Sequence, residues 1–344
     1  MLRRRIMRCV WSPSCQKTRV PDGDAASPIK AVVIKQVHEG TRLLSTRVTI
    51  MAWHGREWRC GCCTSTTRAR ETVPTIWRVP DDLWARMAPI LAERDPPKPT
   101  GRRRINARAV SDAIIFRRRF GCHWKQFPGD FPDDSSVHRT FQRWVQLGLF
   151  DQIWVALVKA CAELGGVNWE WQAADAAMGK ARLGGDHRGP NPTDRGKAGG
   201  KRSLLVEAAG GPLGVIVAGA NVHDTKLLAS TLEAVVVERP ESTEEEPQHL
   251  CLEKGYDNPT GRETVAAYCY VPHIRRIGEE KLDTTRVPRY PARRWVVERT
   301  LAWLNKCRAI LVRYDKKAGN SLALIKLACA LLWYRRHARL VVLR

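Results

Sequence analysis

Trp169-Glu170-Trp171-Gln172-Ala173-Ala174-Asp175-Ala176-Ala177-Met178 is the stretch on which the fold turns. It is short and apolar, carries two tryptophans at its start and lacks the spacing of an amphipathic helix. It reads as a strand bearing one acidic residue. A Gly-, Pro- and Asn-rich loop follows over 183–200. Beyond it, residues 203–206 and 213–217 flank Gly210-Gly211-Pro212, a hairpin signal. Asp224 is placed to cap a helix through Leu227, Leu228, Leu232 and Val235, and the acidic, Pro-bounded run 238–247 reads as a solvated loop. Residues 249–252 form a short apolar strand ending at Glu253, and 269–274 offer another. Helices are expected over 293–312 and 320–337. A meander of strands, then strands alternating with helices, predicts a mixed α/β fold with one mixed sheet packed between helices.

Upstream, the pattern is helical. Asp81-Asp82 precede Leu83, Trp84, Met87, Ile90 and Leu91, which share one helix face behind an acidic N-cap, and Pro96, Pro97 and Pro99 end the run. Gly101-Arg102-Arg103-Arg104 opens a second helix through Ala109, Ile114 and Phe116 to Gly121. After the aromatic turn 122–128, Asp134-Ser135-Ser136 caps a third helix over 137–146, and a fourth is expected over 151–164. Short helices and tight turns carrying Arg102, Arg103, Arg104, Arg117, Arg118, Arg119, His138, Arg139 and Arg143 are similar to a helix-turn-helix DNA-binding unit. A solvated basic helix face is the competing reading.

The 344 residues hold 58 Lys and Arg against 35 Asp and Glu, a net charge of +23 that points to a polyanionic partner, most often nucleic acid. Residues 1–73 contribute 14 basic and 5 acidic residues, hence +9, and five of the eleven cysteines. Apart from a strand-like patch at 31–37 they show no sustained period and are expected to be a disordered leader, or upstream sequence translated from an early start codon. Cys60, Cys62 and Cys63 near His54 lack the second ligand pair of a structural zinc site. No stretch approaches the ~18 uncharged apolar residues of a spanning helix, and the apolar core of the N-terminus is too short for a signal peptide. The expectation is a cytoplasmic protein with free thiols and no membrane partner.

Three carboxylates stand out: Asp175 on a strand, Glu253 at the end of another, and Glu298 within a late helix. Acidic residues converging from strand ends supply oxygen ligands for divalent metal, and two Mg²⁺ about 3.5–4 Å apart serve phosphodiester chemistry. Each carboxylate could instead be a surface charge. Arg294, four residues before Glu298, would make an ordinary helix pair with it. A phosphate-binding loop is excluded at Gly196-Lys197-Ala198, which lacks the Ser/Thr and the spaced first glycine.

Several blocks together resemble one family. These are 169–181 around Asp175, Gly189-Pro190-Asn191-Pro192-Thr193-Asp194-Arg195-Gly196-Lys197, Gly219-Ala220-Asn221-Val222-His223-Asp224, Leu252-Glu253-Lys254-Gly255-Tyr256-Asp257, and Arg294-Trp295-Val296-Val297-Glu298-Arg299-Thr300. They are similar to bacterial DDE transposases of the insertion-sequence-five group, and Gly121-Cys122-His123-Trp124 with 136–144 resembles that family's N-terminal DNA-binding region. The resemblance runs in order over roughly residues 77–338. It implies a helical DNA-binding domain at 77–150 and a ribonuclease-H-like catalytic domain at 165–338. Two Mg²⁺ are implied as cofactors, with Mn²⁺ able to substitute. The implied partner is double-stranded DNA, both element ends and target, bound by a homo-oligomer in the bacterial cytoplasm at the nucleoid.

Carried over residue by residue, the resemblance makes Asp175, Glu253 and Glu298 the catalytic and metal-holding carboxylates. It sets Asn221, His223, Asp224 and Asp257 beside them, and Lys197, Lys201, Lys254, Arg294 and Arg299 against DNA. One departure stands at Glu253, where the family carries Asp before Lys-Gly-Tyr. The extra methylene pushes the carboxylate outward, and a misplacement of ~1 Å at reacting groups can cost about 10²-fold in rate. The expectation is a transposase with weakened activity; the alternative is a sequence-specific DNA-binding protein of transposase descent without catalysis.

Overall fold

The computed structural model describes residues 76–101, 103–274 and 293–342, and the backbone of 32–36, 47–54 and 57–61. Contacts divide the chain into Met1–Val73 and Pro74–Arg344. In the first unit, β1 (Val32–Gln36), β2 (Arg47–His54) and β3 (Glu57–Gly61) form an antiparallel three-stranded sheet. β1 falls on the strand-like patch read at 31–37. β2 and β3 fall where the sequence shows no sustained period; the remaining residues of the expected leader, with Cys62 and Cys63, lie outside the described residues, as does Arg102.

The second unit begins with four helices, α1 (Asp81–Arg94), α2 (Ala107–Phe120), α3 (Asp134–Gln146) and α4 (Leu149–Ala162). Their boundaries follow local chemistry. Pro80, not an aspartate, is the N-cap of α1; Asp81 and Asp82 lie in its first turn, where negative charge suits the helix dipole. Asn106 caps α2 by accepting from Ala109 N at 3.0 Å. Asp133, one residue before the expected cap, does the same for α3 through Ser136 N at 2.8 Å. Gly121 ends α2 at φ 67, and an added Cβ there would meet Arg308 Cβ at 2.9 Å. Glycine is therefore required both by the turn and by the close approach.

The sheet carries seven strands: β4 (Trp171–Ala181), β5 (Gly189–Pro190), β6 (Ala198–Glu207), β7 (Pro212–Gly219), β8 (His249–Leu252), β9 (Val271–Ile274) and β10 (Val312–Arg313). β7, β6 and β4 form the expected antiparallel meander, and β8 and β9 add on in parallel on the other side of β4. β5 pairs with β6, and β10 pairs in parallel with the far end of β4. β4 is thus the central strand, which explains its near-continuous apolar composition.

Helices α5 (Asp224–Glu233), α6 (Pro259–Ala267), α7 (Trp295–Asn305), α8 (Arg308–Leu311) and α9 (Ala318–Val342) flank the sheet. Successive residues of β6 separate its faces: Ser203 Oγ accepts from Thr231 of α5 at 2.7 Å, while Arg202 Nη1 donates to Ile310 O of α8 at 2.9 Å. The helix expected over 293–312 is broken. Cys307 is extended between α7 and α8, and the chain then gives up helix to pair Val312 and Arg313 with Lys180 and Ala181. His223 rather than Asp224 caps α5, its Nδ1 accepting from Thr225 N at 3.3 Å.

This is the expected mixed α/β fold, one mixed sheet with flanking helices, preceded by a helical region. The two regions share one core. α4 lies along α9, with Lys326 Nζ on Asp151 Oδ1 at 2.5 Å and the Cys161 thiol donating to Trp333 O at 3.4 Å. Trp333 is fully buried, and its ring N–H donates to Pro212 O at 2.6 Å. No single described helix is long and apolar enough to cross a membrane. Only α3 and α4 taken together, bent by 66°, have the length and composition, and their apolar residues are buried in the core.

Candidate active site

β4 and β8 run in parallel with Ala173 beside Cys251. Two residues further along each, Asp175 reaches the level of Glu253, the first residue past the end of β8. Glu253 caps a 3-10 turn, Lys254–Tyr256, and its side chain leans over that turn: a Cβ added at Gly255 would stand 3.2 Å from Glu253 Oε1. Asp175 pairs with Leu204 of β6, two residues from Arg202, so it faces the side of the sheet covered by α7 and α8. Glu298 lies in the first turn of α7, which packs on β4 and β6.

The electrostatics agree with this placement. Burial, joined by the negative charges of Glu253, Glu298 and Asp224, pushes the Asp175 carboxyl up to about 6 against the opposing pull of the Ala176 N–H, which donates to Asp175 Oδ1 at 2.7 Å. Tyr256 is fully buried, and its pKa is raised by burial and then by Asp224, Asp175 and Glu253. Its hydroxyl has no hydrogen-bond partner among the described residues. In the sequence Tyr256 stands out only as part of a motif, its signal being an aromatic residue three positions after an acidic strand end.

The expected neighbours differ in what holds them. Lys201 is buried and its ammonium donates to Asp224 Oδ1 at 2.6 Å and Val222 O at 2.7 Å. Around the cap residue His223, Thr225 donates to Gly255 O at 3.4 Å and receives a bond from Asn258 Nδ2 at 3.0 Å, tying the start of α5 to the Glu253 turn. Asn221 packs over Gly189 and Gly219, where any Cβ would collide with its Oδ1. Asp257 is held by Arg262 at 2.7 Å.

The basic residues also divide. Arg103, Lys197 and Lys254 are exposed and make no ion pair with a described residue, and exposed Arg139 donates to Ser136 Oγ at 3.3 Å. Arg104 and Arg143 both pair with Asp95, whose other partner is Trp144 Nε1 at 2.8 Å. Arg294 donates to Glu298 Oε1 at 2.6 Å, the i,i+4 pair that the spacing allowed. Arg299 lies 4.5 Å from the Trp295 ring centre and 4.8 Å from that of Trp303, and donates to Ala209 O at 2.6 Å.

Among the described residues, no three His, Cys, Asp or Glu side chains stand together at metal-holding distance. The donor chemistry nonetheless fits a divalent ion. Asp175, Glu253 and Glu298 are carboxylates, the hard oxygen ligands that Mg²⁺ takes, and a cation would favour the charged form that burial first, and the neighbouring negative charges after it, disfavour at Asp175.

Comparison with known proteins bears on the same two regions. A family model described as "Putative transposase of IS4/5 family (DUF4096)" matches residues 79–154, and one described as "Transposase DDE domain" matches 170–333. The chain is 33% identical over 153 residues to the "Putative transposase for insertion sequence element IS402" of Burkholderia cepacia, covering 44% of this chain and 70% of that protein. It is 29% identical over 103 residues to the "Uncharacterized protein y4sN" of Sinorhizobium fredii (strain NBRC 101917 / NGR234), covering 29% of this chain and 74% of the relative. The catalytic domain of the Mos1 mariner transposase overlaps 59% of this chain and 94% of its own length at 10% identity. Its TM-score of 0.23 is too low to carry an argument. By sequence, the chain belongs to the DDE transposases of insertion sequences, within the IS4/5 family.

Proposed function

We propose that this transposase cuts the ends of its element and joins them to target DNA at Asp175, Glu253 and Glu298. DDE transposases act on DNA by strand cleavage and transfer and generally use divalent metals. The observation that carries the residue assignment is the β4–β8 register, which brings Asp175 level with Glu253 on the face that α7 covers with Glu298. The three carboxylates would hold two Mg²⁺, or Mn²⁺ in their place, which when bound activate the attacking oxygen and neutralise charge on the leaving one. Hydrolysis at an element end frees a 3′-hydroxyl, which then attacks a phosphodiester of the target. Buried Tyr256 and the Lys201–Asp224 pair hold the floor of the site, and the Thr225–Gly255 bond fixes the Glu253 turn against α5. Residues 77–150 read DNA, with Arg103, Arg104, Arg139 and Arg143 supplying contacts; Lys197 and Lys254 hold phosphates near the cut. Two ends must meet, so the working form is a homo-oligomer on DNA.

Strand cleavage of a duplex carrying the element end, in Mg²⁺ or Mn²⁺, tests the reading, with Asp175→Asn as the control that must be silent. A second reading rests on Glu253, whose longer side chain leans toward Gly255. It is a DNA-binding protein of transposase descent in which catalysis is lost. Binding that persists in EDTA, with no cleavage in Mn²⁺, selects it.

A further inference from the structure

Away from the carboxylates, Arg202 of β6 and Arg313 of β10 line one pocket with Gly179, Gly200 and Ser321. Both guanidiniums are buried, at 6% and 8% exposure, and neither forms an ion pair with a described carboxylate. Arg202 donates to Ile310 O and to Asn305 Oδ1, and its Nε has no partner. Arg313 donates only to backbone carbonyls, those of Asp315 and Lys316 at 2.8 Å and His187 at 3.2 Å. Burial holds the Arg202 pKa down to about 10. Arg313 also feels the negative charges of Asp315 and Asp186, whereas Arg202 is satisfied by neutral oxygens alone and keeps most of its desolvation cost, for which the usual remedy is a counter-charge.

The space for one is built into the sheet. Gly179 and Gly200 face each other in the β4–β6 register, two residues from Ala177 and Arg202 on the same face, so neither puts a side chain into the gap; over Gly179 a Cβ would stand 3.3 Å from Leu311 O and 3.6 Å from Arg202 Nη1. A Cβ at Gly200 would meet nothing closer than 3.7 Å, with Arg313 Nη1 at 3.9 Å; the backbone does not demand glycine there. The same face of β4 carries Asp175 four residues earlier, roughly 13 Å away.

We propose that Arg202 and Arg313 form a buried oxyanion pocket that receives a backbone phosphate of the DNA passing Asp175. The ligand's identity as DNA rests on the function proposed above, whereas the phosphate chemistry does not.

The test uses the full chain and inorganic phosphate as probe, titrated by calorimetry against chloride at constant ionic strength. One saturable site is expected. Both Arg202→Met and Gly200→Ala, each checked for native unfolding behaviour, should weaken it tenfold or more. Gly200→Ala carries the test if Arg202→Met does not fold, since its Cβ makes only ordinary contacts. A duplex should displace the phosphate. Absent phosphate binding, or binding unchanged in a folded variant, overturns the pocket. Phosphate that no duplex displaces overturns the DNA assignment. Strand cleavage is not read, so its absence would count only against the catalytic proposal.

Discussion

Arg117 of α2 reaches Asp315, 198 residues away, and donates to both carboxylate oxygens at 3.2 Å; the two side chains are 3% and 4% exposed. Trp124 lies under the same guanidinium at 4.0 Å and gives its ring N–H to Asp315 Oδ1 at 3.2 Å. The pair joins the helical region to the segment that leads from β10 into α9. Removing one partner strands the other charge in the interior. Arg117→Met should cost about 3–5 kcal/mol in urea denaturation. Arg117→Met with Asp315→Leu should recover much of that, and full additivity of the two losses would show that they do not act as a pair.

Glu253→Asp withdraws the carboxylate by one methylene toward the family arrangement. Cleavage of an element end should rise by up to about 10²-fold, with Asp175→Asn and Glu298→Gln silent in either background. No gain from Glu253→Asp would show that Glu253 does not limit the reaction.

Gly255→Ala tests how Glu253 is held. The new methyl would stand 3.2 Å from Glu253 Oε1, tight enough that the side chain must shift. Cleavage should fall with little change in stability. In the Glu253→Asp background the shorter chain no longer reaches over the turn, so the same methyl should then cost much less. An equal loss in both backgrounds assigns the effect to the turn itself.

The basic residues separate by salt dependence. Lys254→Ala should lower the slope of log affinity for DNA against log salt by about 1, as expected for one lost phosphate contact. Arg299→Ala, which removes a guanidinium lying against Trp295 and Trp303 and bonded to Ala209 O, should lower the unfolding temperature. Equal slopes for Lys254→Ala and the unaltered protein would remove Lys254 from the phosphate contacts.

Much of this was legible because it is local. The apolar run around Asp175, the strand ending at Glu253 and the Gly121 stop are set by residues within a few positions of one another, and each appears where local physics puts it. The break at Cys307 was not legible. The apolar spacing continues through it, and the helix yields only because Val312 finds Lys180, a pairing across more than a hundred residues. The same holds for Lys201, which reads as one more cation for DNA until the fold brings Asp224 to it. Caps slipped by one residue at α3 and α5 because the neighbouring Asp133 and His223 offered competing acceptors, while α1 starts after Pro80 with no side-chain cap at all.

The shared packing of α4 and α9 bears on how the chain is made. Helices α1–α4 leave the ribosome before the sheet they pack with, yet α4 finds much of its cover only when Ala318–Val342 arrives, as where the Cys161 thiol meets Trp333 O. A nascent chain halted before Ala318 would leave that face bare to water and to other chains. Order of synthesis therefore does not become order of folding here, and the helical region should mature together with the sheet, after Ala318–Val342 is complete.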